Sequence, residues 1–288
     1  MKEALRKANP FEFPVEASVQ VSEGPMELGI QIEGSRESVQ AWAGNAAGVA
    51  RKLLSEISSF YPLLRMRGKD LFVKARWPKV IQRMVRAVQR VAPEVLTPMA
   101  AVAGALSEEL LNRMLVESPK PLTRVIVNNG GDMAVYSPYS TVHIGIRGCG
   151  MRDCVMHLPA RPTAYGIATS GWRGRSFSQG IADAVVVVAQ SSAVADAAAT
   201  HIGNHVMAEG IRGIEQKRAG TLDPETDIPD LLVTVTQGSL SLGEKRRALE
   251  HACRAARPLL KERVIEGVRI YLQGERVVLP ATASGSLG

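Results

Sequence analysis

The chain has 288 residues, of which 45% are hydrophobic and 22% charged. This composition excludes an intrinsically disordered chain, and three cysteines in this length exclude a small disulfide-stapled fold. The formal net charge of +7 is concentrated in residues 65–90, which hold nine basic residues and one acid, Asp70. We call this stretch the basic stripe. Aromatic residues make up only 5% of the chain, which argues against nucleic acid read by base stacking as a partner.

The first twenty residues contain no apolar stretch typical of a secretory signal. The purest apolar run, residues 184–189, is far shorter than the roughly 18 residues that a membrane-spanning helix needs. Three cysteines, Cys149, Cys154 and Cys253, cannot all pair within one chain. We therefore expect a cytoplasmic protein with free or redox-active thiols and no membrane partner.

In the first part of the chain, alternating apolar and polar residues predict strands, and apolar residues three or four positions apart predict helices. In chain order these patterns predict a hairpin over 16–34, a helix from an N-cap at Ser35 to about residue 60, a short strand over 70–77, a helix from Pro78 to about residue 91, and a helix over 99–115 opened by Pro98. In the helix that follows Pro78, Arg83, Arg86 and Arg90 share one face. That face is either simply solvated or a docking site for an acidic partner.

Strand patterns dominate the second part of the chain. They predict strands over 123–128, 133–136, 141–147, 164–169 and 185–189, an alanine-rich helix over 192–209, a strand over 231–236, a helix over 242–262 and a hairpin over 268–279. Because helices and strands come in clusters, the fold class is α+β with largely antiparallel sheets and packed helices. We expect one domain over 1–288, either undivided or built from two intimately packed halves, with a flexible tail over 281–288.

Three segments carry residues suited to ligand binding. The first is the turn Asn128-Asn129-Gly130-Gly131-Asp132, whose glycines permit positive φ and close approach of a ligand. The second is the loop from Thr169 to Gly180, in which Thr169, Ser170, Gly171, Arg173 and Arg175 supply anion-binding chemistry. The third is a helical pair, Asp196 and Thr200, whose oxygens share one face and suit Mg²⁺. An ordinary hairpin turn, an exposed loop and a helix-dipole aspartate remain open as alternatives for the three segments.

Histidines and cysteines give two weaker patterns. His201 and His205 form an i,i+4 pair, but their segment lacks the catalytic glutamate of the HExxH zinc motif. Cys149 and Cys154 are spaced C-x4-C with Arg147 and Arg152 close in sequence, and adjacent cations lower the pKa of a thiol. The cysteines are therefore either a reactive thiol or disulfide pair, or two inert residues.

The order of three motifs is more informative than any one of them. Asn128-x-Gly130-Gly131-Asp132, then Ala168-Thr169-Ser170-Gly171, then the segment from Ala195 to Thr200 resembles the ApbE superfamily. Its characterised members are FAD:protein FMN transferases. The stretch from Pro98 to Ala105 resembles a small uncharacterised branch of that superfamily. The resemblance covers roughly residues 98–205.

This resemblance implies a fold of two related T-fold-like halves and an associated homodimer. It implies that Asp196 and Thr200 hold Mg²⁺, and that the turn 128–132 and the segment 168–171 line a flavin site for FAD or FMN. The His-x-x-Asp-Pro-x-Thr-Gly segment of the transferases is absent, and the corresponding interval here is shortened to 172–183. Asp183 is then the one candidate that could replace the missing acid.

Three functional hypotheses follow from the sequence. The first is a cytoplasmic flavin- or nucleotide-binding protein with Mg²⁺, with FMN or phosphoryl-group transfer from FAD as its reaction. The second is thiol or sulfur-transfer chemistry, with Cys149 or Cys154 acting on a small substrate in the same pocket. The third is a non-enzymatic scaffold that binds an acidic protein or nucleic acid through the basic stripe.

Overall fold

The computed structural model describes residues 14–146 and 154–280. The strands are β1 Val15–Glu23, β2 Met26–Gly34, β3 Leu122–Asn129, β4 Asp132–Ser137, β5 Val142–Ile146, β6 Cys154–Leu158, β7 Arg161–Ser170, β8 Ala184–Ala189, β9 Ile214–Arg218, β10 Leu232–Gln237, β11 Gly267–Leu272 and β12 Glu275–Leu279. The helices are α1 Arg36–Ser59, α2 Tyr61–Leu64, α3 Lys79–Val91, α4 Val102–Glu117, α5 Ser192–Asn204, α6 Ala219–Leu222 and α7 Leu242–Lys261.

Eight strands form one sheet in the order β1-β2-β3-β4-β7-β8-β11-β12, and every neighbouring pair is antiparallel. The first four strands enclose α1 to α4 in sequence, and the last four enclose α5 to α7. Two units of the pattern strand pair, helices, strand pair therefore lie side by side and join at β4 and β7. This arrangement confirms the predicted α+β class with a largely antiparallel sheet.

The two faces of the sheet differ in what covers them. One face packs against the helices in the larger hydrophobic core. On the other face, the hairpin of β5 and β6 packs over the middle of the sheet, where Val135, Ile167 and Val186 join the hairpin residues Ile144 and Met156 in a second core. Strand β8 is therefore buried on both sides, as its continuous apolar sequence indicates. On β1 and β2 this second face carries polar residues, several of them exposed, which alternate along each strand with the apolar residues of the helix-covered face.

Local signals that set helix starts agree with the structure. The hydroxyl of Ser35 accepts a hydrogen bond from the Ser38 N–H at the start of α1, as predicted. At α7, the Ser241 hydroxyl accepts from the Glu244 N–H while the Glu244 carboxylate accepts from the Ser241 N–H. Glu244 consequently has a pKa lowered to about 2, first because of its hydrogen bond from the Ser241 side chain. Both caps depend on residues three positions apart in the sequence.

The predicted strand over 70–77 is wrong. The segment has a 3-10 turn over Gly68–Asp70 and then runs without a strand partner alongside α3. Two glutamine side chains of α3 bind the carbonyls that a neighbouring strand would otherwise bind. The Gln82 amide donates to the carbonyls of Ala75 and Trp77. The Gln89 amide likewise donates to the carbonyls of Gly68 and Leu71, at 3.0 and 2.7 Å. These bonds satisfy the backbone without a sheet.

Further elements differ in extent from the predictions. The predicted helix over 192–209 ends at Asn204, where the His205 N–H turns back to carbonyls of the last turn. Strands β6 and β9 and the short helix α6 have no counterpart among the predicted elements. β6 is defined as a strand by its pairing with β5. Pairing of this kind is decided by tertiary packing and not by propensity.

Candidate functional site

A cavity of about 740 Å³ lies on the sheet face opposite the helices. It is bounded by the polar face of β1 to β3, by the hairpin of β5 and β6, and by the loop that follows β7. Most of the predicted cofactor residues meet here. Those that line the cavity are Asn128, Gly130, Gly131, Thr169, Ser170, Gly171 and Arg173, together with the candidate acid Asp183.

The turn between β3 and β4 is a two-residue hairpin connection. Gly130 and Gly131 have φ values of 67° and 112°, which a residue with a side chain rarely adopts. The Asn128 side-chain oxygen accepts a hydrogen bond from the Gly131 N–H at 2.9 Å and holds the turn in this shape. The turn therefore presents bare backbone to the cavity.

The loop after β7 folds back over this turn. Its Arg175 guanidinium lies directly above Gly130, where an added Cβ would be 2.2 Å from Nη2. Arg175 also donates to the carbonyl of Pro25 in the turn between β1 and β2, at 3.3 Å. Arg175 thus connects three turns at the edge of the cavity. Arg173 lies over the ring of Trp172, 4.8 Å from its centroid, and lines the cavity.

Two buried carboxylates, one at the start of β4 and one on α5, repel each other. The Asp132 carboxylate accepts from the Thr169 N–H at 3.3 Å, and its pKa is raised to about 7, first because burial disfavours the charged form. The Thr169 hydrogen bond and the positive charge of Arg175 act in the opposite direction. Asp196 has its pKa raised by burial and then by repulsion from Asp132. An acid of β4 and an acid of α5 therefore share one electrostatic environment.

Asp196 also completes the start of α4. Ala101 at the N-cap of α4 supplies no side-chain hydrogen bond, so the first N–H groups of this helix need an external acceptor. The Asp196 carboxylate accepts from the Gly104 N–H at 2.9 Å and from the Ala103 N–H. This contact requires α4 and α5 to touch, and a Cβ on Gly104 would lie 2.3 Å from the Ser192 carbonyl oxygen.

The donor set around Asp196 suits a hard cation better than zinc. Thr200 lies one helical turn after Asp196 on α5, and Asp132 supplies a second carboxylate. Among the described residues, no three His, Cys, Asp or Glu side chains converge as metal ligands. A cation here would take two carboxylates and complete its shell with hydroxyl, backbone, water or ligand oxygens, as Mg²⁺ does.

Other predicted residues have different surroundings. The Asp183 carboxylate accepts from the Gln273 N–H, and the Asp183 N–H donates to the Tyr271 carbonyl at 3.0 Å. These bonds attach Asp183 to the turn between β11 and β12, although it lines the cavity. Asn129 is buried on the opposite side of β3 from Asn128, and its Oδ1 atom has no hydrogen-bond partner among the described residues.

The cysteine hypothesis receives no structural test. Cys149 lies outside the described residues, and for Cys154 the structure describes only its strand position, opposite Ile146. Cys253 is a buried free cysteine of α7, and burial raises the pKa of its thiol. A thiol buried in this way is poorly suited to nucleophilic chemistry.

A third histidine joins the predicted pair in a separate cavity of about 370 Å³. The ring of His205 lies 4.5 Å from that of His201 and 5.5 Å from that of His251 on α7. The pKa of His201 is lowered to about 4, chiefly by burial, so this ring is neutral at pH 7. The sequence pairs His201 with His205 by helical spacing, whereas His251 comes from an element 46 residues away.

The basic stripe is partly neutralised. Arg83 forms ion pairs with Glu108 and Glu109 of α4, and the Glu109 contact measures 3.0 Å. Lys69 pairs with Glu94 at 2.8 Å. The spacing of Arg83 with Arg86 and Arg90 predicts one solvated arginine face. In the structure, Arg83 is instead paired with acids of α4. In the part of the chain that the structure describes, no helix is long and apolar enough to span a bilayer.

Comparison with known proteins gives a family match over most of the chain and several relatives. A protein-family model described as AbpE bacteria matches residues 12–278. A UPF0280 protein of Methanosarcina barkeri is 28% identical over 204 residues, which cover 68% of this chain and 75% of that protein. A UPF0280 protein of Methanosarcina acetivorans is 36% identical over 132 residues, which cover 45% of this chain and 49% of that protein. In this second alignment the chain spans about half the length of its relative.

Solved structures give more distant similarities. A variant of the flavin transferase ApbE from Vibrio cholerae aligns with a TM-score of 0.44 and 13% identity, over 65% of this chain and 86% of that one. The apo form of the flavinyl transferase ApbE from Pseudomonas stutzeri aligns with a TM-score of 0.39 and 11% identity, over 68% of this chain and 85% of that one.

Proposed function

The chain belongs to the family described as AbpE bacteria, within the ApbE-like superfamily, and from this premise we propose that it binds a flavin nucleotide with Mg²⁺ and transfers a flavin-linked phosphoryl group. The nucleotide would occupy the 740 Å³ cavity, and the cation would lie at Asp132 and Asp196. The observation that carries this proposal is the buried pair of carboxylates. Neither lines the cavity, but Asp132 directly follows the cavity-lining Gly131 and accepts from the N–H of the cavity-lining Thr169.

The carboxylate pair is electrostatically incomplete. Burial and repulsion from Asp132 both raise the pKa of Asp196, and the groups that lower it are two backbone N–H donors. Arg175 lowers the pKa of Asp132, which nevertheless stays raised to about 7. Enclosed like charges either share a proton or bind a cation. A divalent ion would replace the shared proton at neutral pH, and oxygen-only ligands favour Mg²⁺ over softer metals.

The cavity supplies the remaining features that a nucleotide needs. The bare backbone of Gly131 permits close approach, the end of β7 contributes the hydroxyl of Thr169, and the loop after β7 contributes the cation of Arg173. Hydroxyl and guanidinium groups of this kind bind phosphate oxygens. The thiol hypothesis has no such supporting observation, because its candidate residues fall at or beyond the edge of the described ranges.

The proposed reaction is exchange at a phosphoanhydride bond. The bond between the flavin phosphoryl and the leaving nucleoside monophosphate breaks, the phosphoryl binds the oxygen of an acceptor hydroxyl, and that hydroxyl releases its proton. Bound Mg²⁺ supplies neutralisation of the charge that develops on the phosphate oxygens. The protein's own residues orient the reactants, with Asp196 held in position by the Gly104 N–H and Asp132 by the Thr169 N–H.

Substitution of Asp196 by asparagine tests the site without removing the helix cap. The new amide keeps an oxygen that accepts from the Gly104 N–H but lacks the charge for a cation. Asp196→Asn is therefore expected to weaken Mg²⁺-dependent FAD binding at least about tenfold. Binding is measured by quenching of FAD fluorescence with Mg²⁺ and with EDTA. Thr200→Val is expected to have a smaller effect in the same direction.

Asp227→Asn is the matched control. Asp227 is another carboxyl group whose pKa is raised by burial, but it accepts from Thr97, and neither Asp132 nor Asp196 is among the groups that shift its pKa. The proposed site would be contradicted if FAD binding were unchanged by both Mg²⁺ and Asp196→Asn, or if FAD did not bind at all. Tight Mg²⁺-dependent binding without release of AMP in the presence of a hydroxyl-bearing acceptor peptide would reject transfer and leave flavin binding.

A further inference from the structure

A surface on the helix side of the molecule combines exposed apolar side chains with cations. It consists of residues 66–77 together with residues 92–96, and we call it the Phe72 surface. The two segments are joined by backbone hydrogen bonds from Gly68 to Leu96 at 2.9 Å and from Lys69 to Pro93 at 3.0 Å. The surface packs on α3, whereas the 740 Å³ cavity opens on the opposite face of the sheet.

The Phe72 surface is held in a defined shape. Amides of Gln82 and Gln89 on α3 bind four carbonyls of the segment, as described above, and Leu71 is buried beneath it. Phe72, the next residue, is 82% exposed. Since the backbone on both sides is fixed, the aromatic ring is directed into solvent by the fold and cannot turn inward with a local rearrangement.

Phe72 is not an isolated exposed side chain. Met66 and Val95, on the same two joined segments, are 44% and 52% exposed. Single exposed apolar residues need no explanation, but several on one structural unit mark an interaction site. Transfer of these side chains from water into an apolar environment is favourable, so a partner that covers them gains binding free energy.

The Phe72 surface and the adjoining helix α3 carry exposed cations. Lys74, Arg76, Lys79, Arg86 and Arg90 are all exposed. Among the ion pairs of the described residues, none involves any of these five. Arg86 lies between Gln82 and Gln89 on the stripe of α3 that faces the segment. The acids within the surface are Asp70, which is exposed, and Glu94, which pairs with Lys69.

We propose that the Phe72 surface docks the protein on a bilayer that contains anionic phospholipid. Phe72, Met66 and Val95 would enter the interface between headgroups and acyl chains, and the unpaired cations would face the lipid phosphates. Charge complementarity favours an anionic partner. The exposed aliphatic residues favour a bilayer over nucleic acid, because bases stack on aromatic rings and Phe72 is the one exposed aromatic of this surface.

Sedimentation with vesicles tests the docking surface. Full-length protein is mixed with vesicles of phosphatidylcholine alone, or with about 30% phosphatidylglycerol added, in about 0.1 M NaCl. We expect binding to the anionic vesicles, weak binding to the neutral ones, and release at about 0.5 M NaCl because the attraction is screened. Lys74→Glu with Arg76→Glu is expected to weaken binding more than about tenfold, given about fivefold for each removed cation.

Phe72→Ser is the decisive variant, with Val116→Ser as its control. Val116 on α4 is 83% exposed, as exposed as Phe72, but it lies outside the surface. Phe72→Ser should weaken vesicle binding severalfold with an unchanged circular dichroism spectrum, and Val116→Ser should not. Equal effects of the two variants, or no binding of the unaltered protein to anionic vesicles, would overturn the proposal. So would binding of an oligo(dT) that is lost in Phe72→Ser while vesicles are not bound.

Discussion

Two carboxylates in this molecule perform the same structural task in opposite surroundings. Glu108 of α4 accepts hydrogen bonds at the start of α5, from the Ser191 hydroxyl and from the Ala193 N–H at 3.2 Å. Asp196 of α5 accepts the first N–H groups of α4. The two helices therefore cap each other near the point where they touch at Gly104.

Their charge partners differ. Glu108 has a cation beside it, because Arg83 of α3 forms an ion pair with the same side chain. Asp196 has an acid beside it, Asp132, and its pKa is raised. A cap that serves stability alone has no reason to place two enclosed acids together, since this costs free energy at neutral pH. The contrast is between a carboxylate that is paired with a cation in the fold and one at which we propose that a cation binds.

The largest expected effect comes from separating the two helices. In Gly104→Ala the new Cβ would lie 2.3 Å from the Ser192 carbonyl oxygen, so α4 and α5 must move apart and both caps lengthen. We expect a loss of about 4 kcal/mol or more in the free energy of unfolding, measured by urea denaturation. Gly48→Ala in α1 is the control, because nothing lies within 4 Å of its added Cβ and helix propensity predicts a gain of about 0.5–1 kcal/mol. Equal stability of the two variants would contradict close contact at the crossing.

Removal of the paired carboxylate should have the next largest effect. Glu108→Ala leaves Arg83 with one partner, Glu109, and removes the acceptor for the Ala193 N–H. We expect a loss of about 3 kcal/mol in the free energy of unfolding by chemical denaturation. Glu108→Gln should lose less, because the amide oxygen still accepts. A loss below about 0.5 kcal/mol for Glu108→Ala would show that this cap is not structural.

Expressed per pH unit, the smallest effect is a pH dependence that arises from Asp132. Its folded pKa of about 7 exceeds the ordinary value of 3.8, so between these pH values the native state holds a proton that the unfolded chain has released. Stability in EDTA should therefore fall as pH rises from about 4 to 7, by up to about 1.4 kcal/mol per pH unit. Asp132→Asn should remove this part of the slope. The difference between the two denaturation series at about pH 5 and pH 7 gives the contribution of the interacting pair, because Asp132→Asn also removes the charge that raises the pKa of Asp196.

A result with no difference between the two slopes would contradict the raised pKa. At pH 7 the unaltered protein should have a higher free energy of unfolding in Mg²⁺ than in EDTA, because a cation bound to the native state stabilises it by mass action. The same ion should leave Asp132→Asn almost unchanged. Together these measurements show whether the acid pair binds a cation, unlike Glu108, or only lowers the free energy of unfolding.

Much of the fold could be predicted because its signals are local. Alternation predicts the strands of the hairpin over 16–34, Ser35 predicts the start of α1, and the Asn-Gly step predicts the turn at Gly130. The strand over 70–77 is wrong for the complementary reason. Its backbone carbonyls accept hydrogen bonds from Gln82 and Gln89 of α3. These contacts join two elements, and no local sequence pattern indicates them.

By itself, the sequence determined most of the longer strands and helices, the helix face that bears Asp196 and Thr200, and the glycine turn at 130–131. Each depends on residues a few positions apart, whose geometry follows from the backbone dihedrals. Tertiary structure alone decided that Asp132 meets Asp196, that Asp183 is tied to Gln273, and that His251 joins the other two histidines. These contacts depend on how the helices pack against each other and on the sheet. Burial in that packing then shifts the pKa values, and the spacing of residues in the sequence does not predict burial.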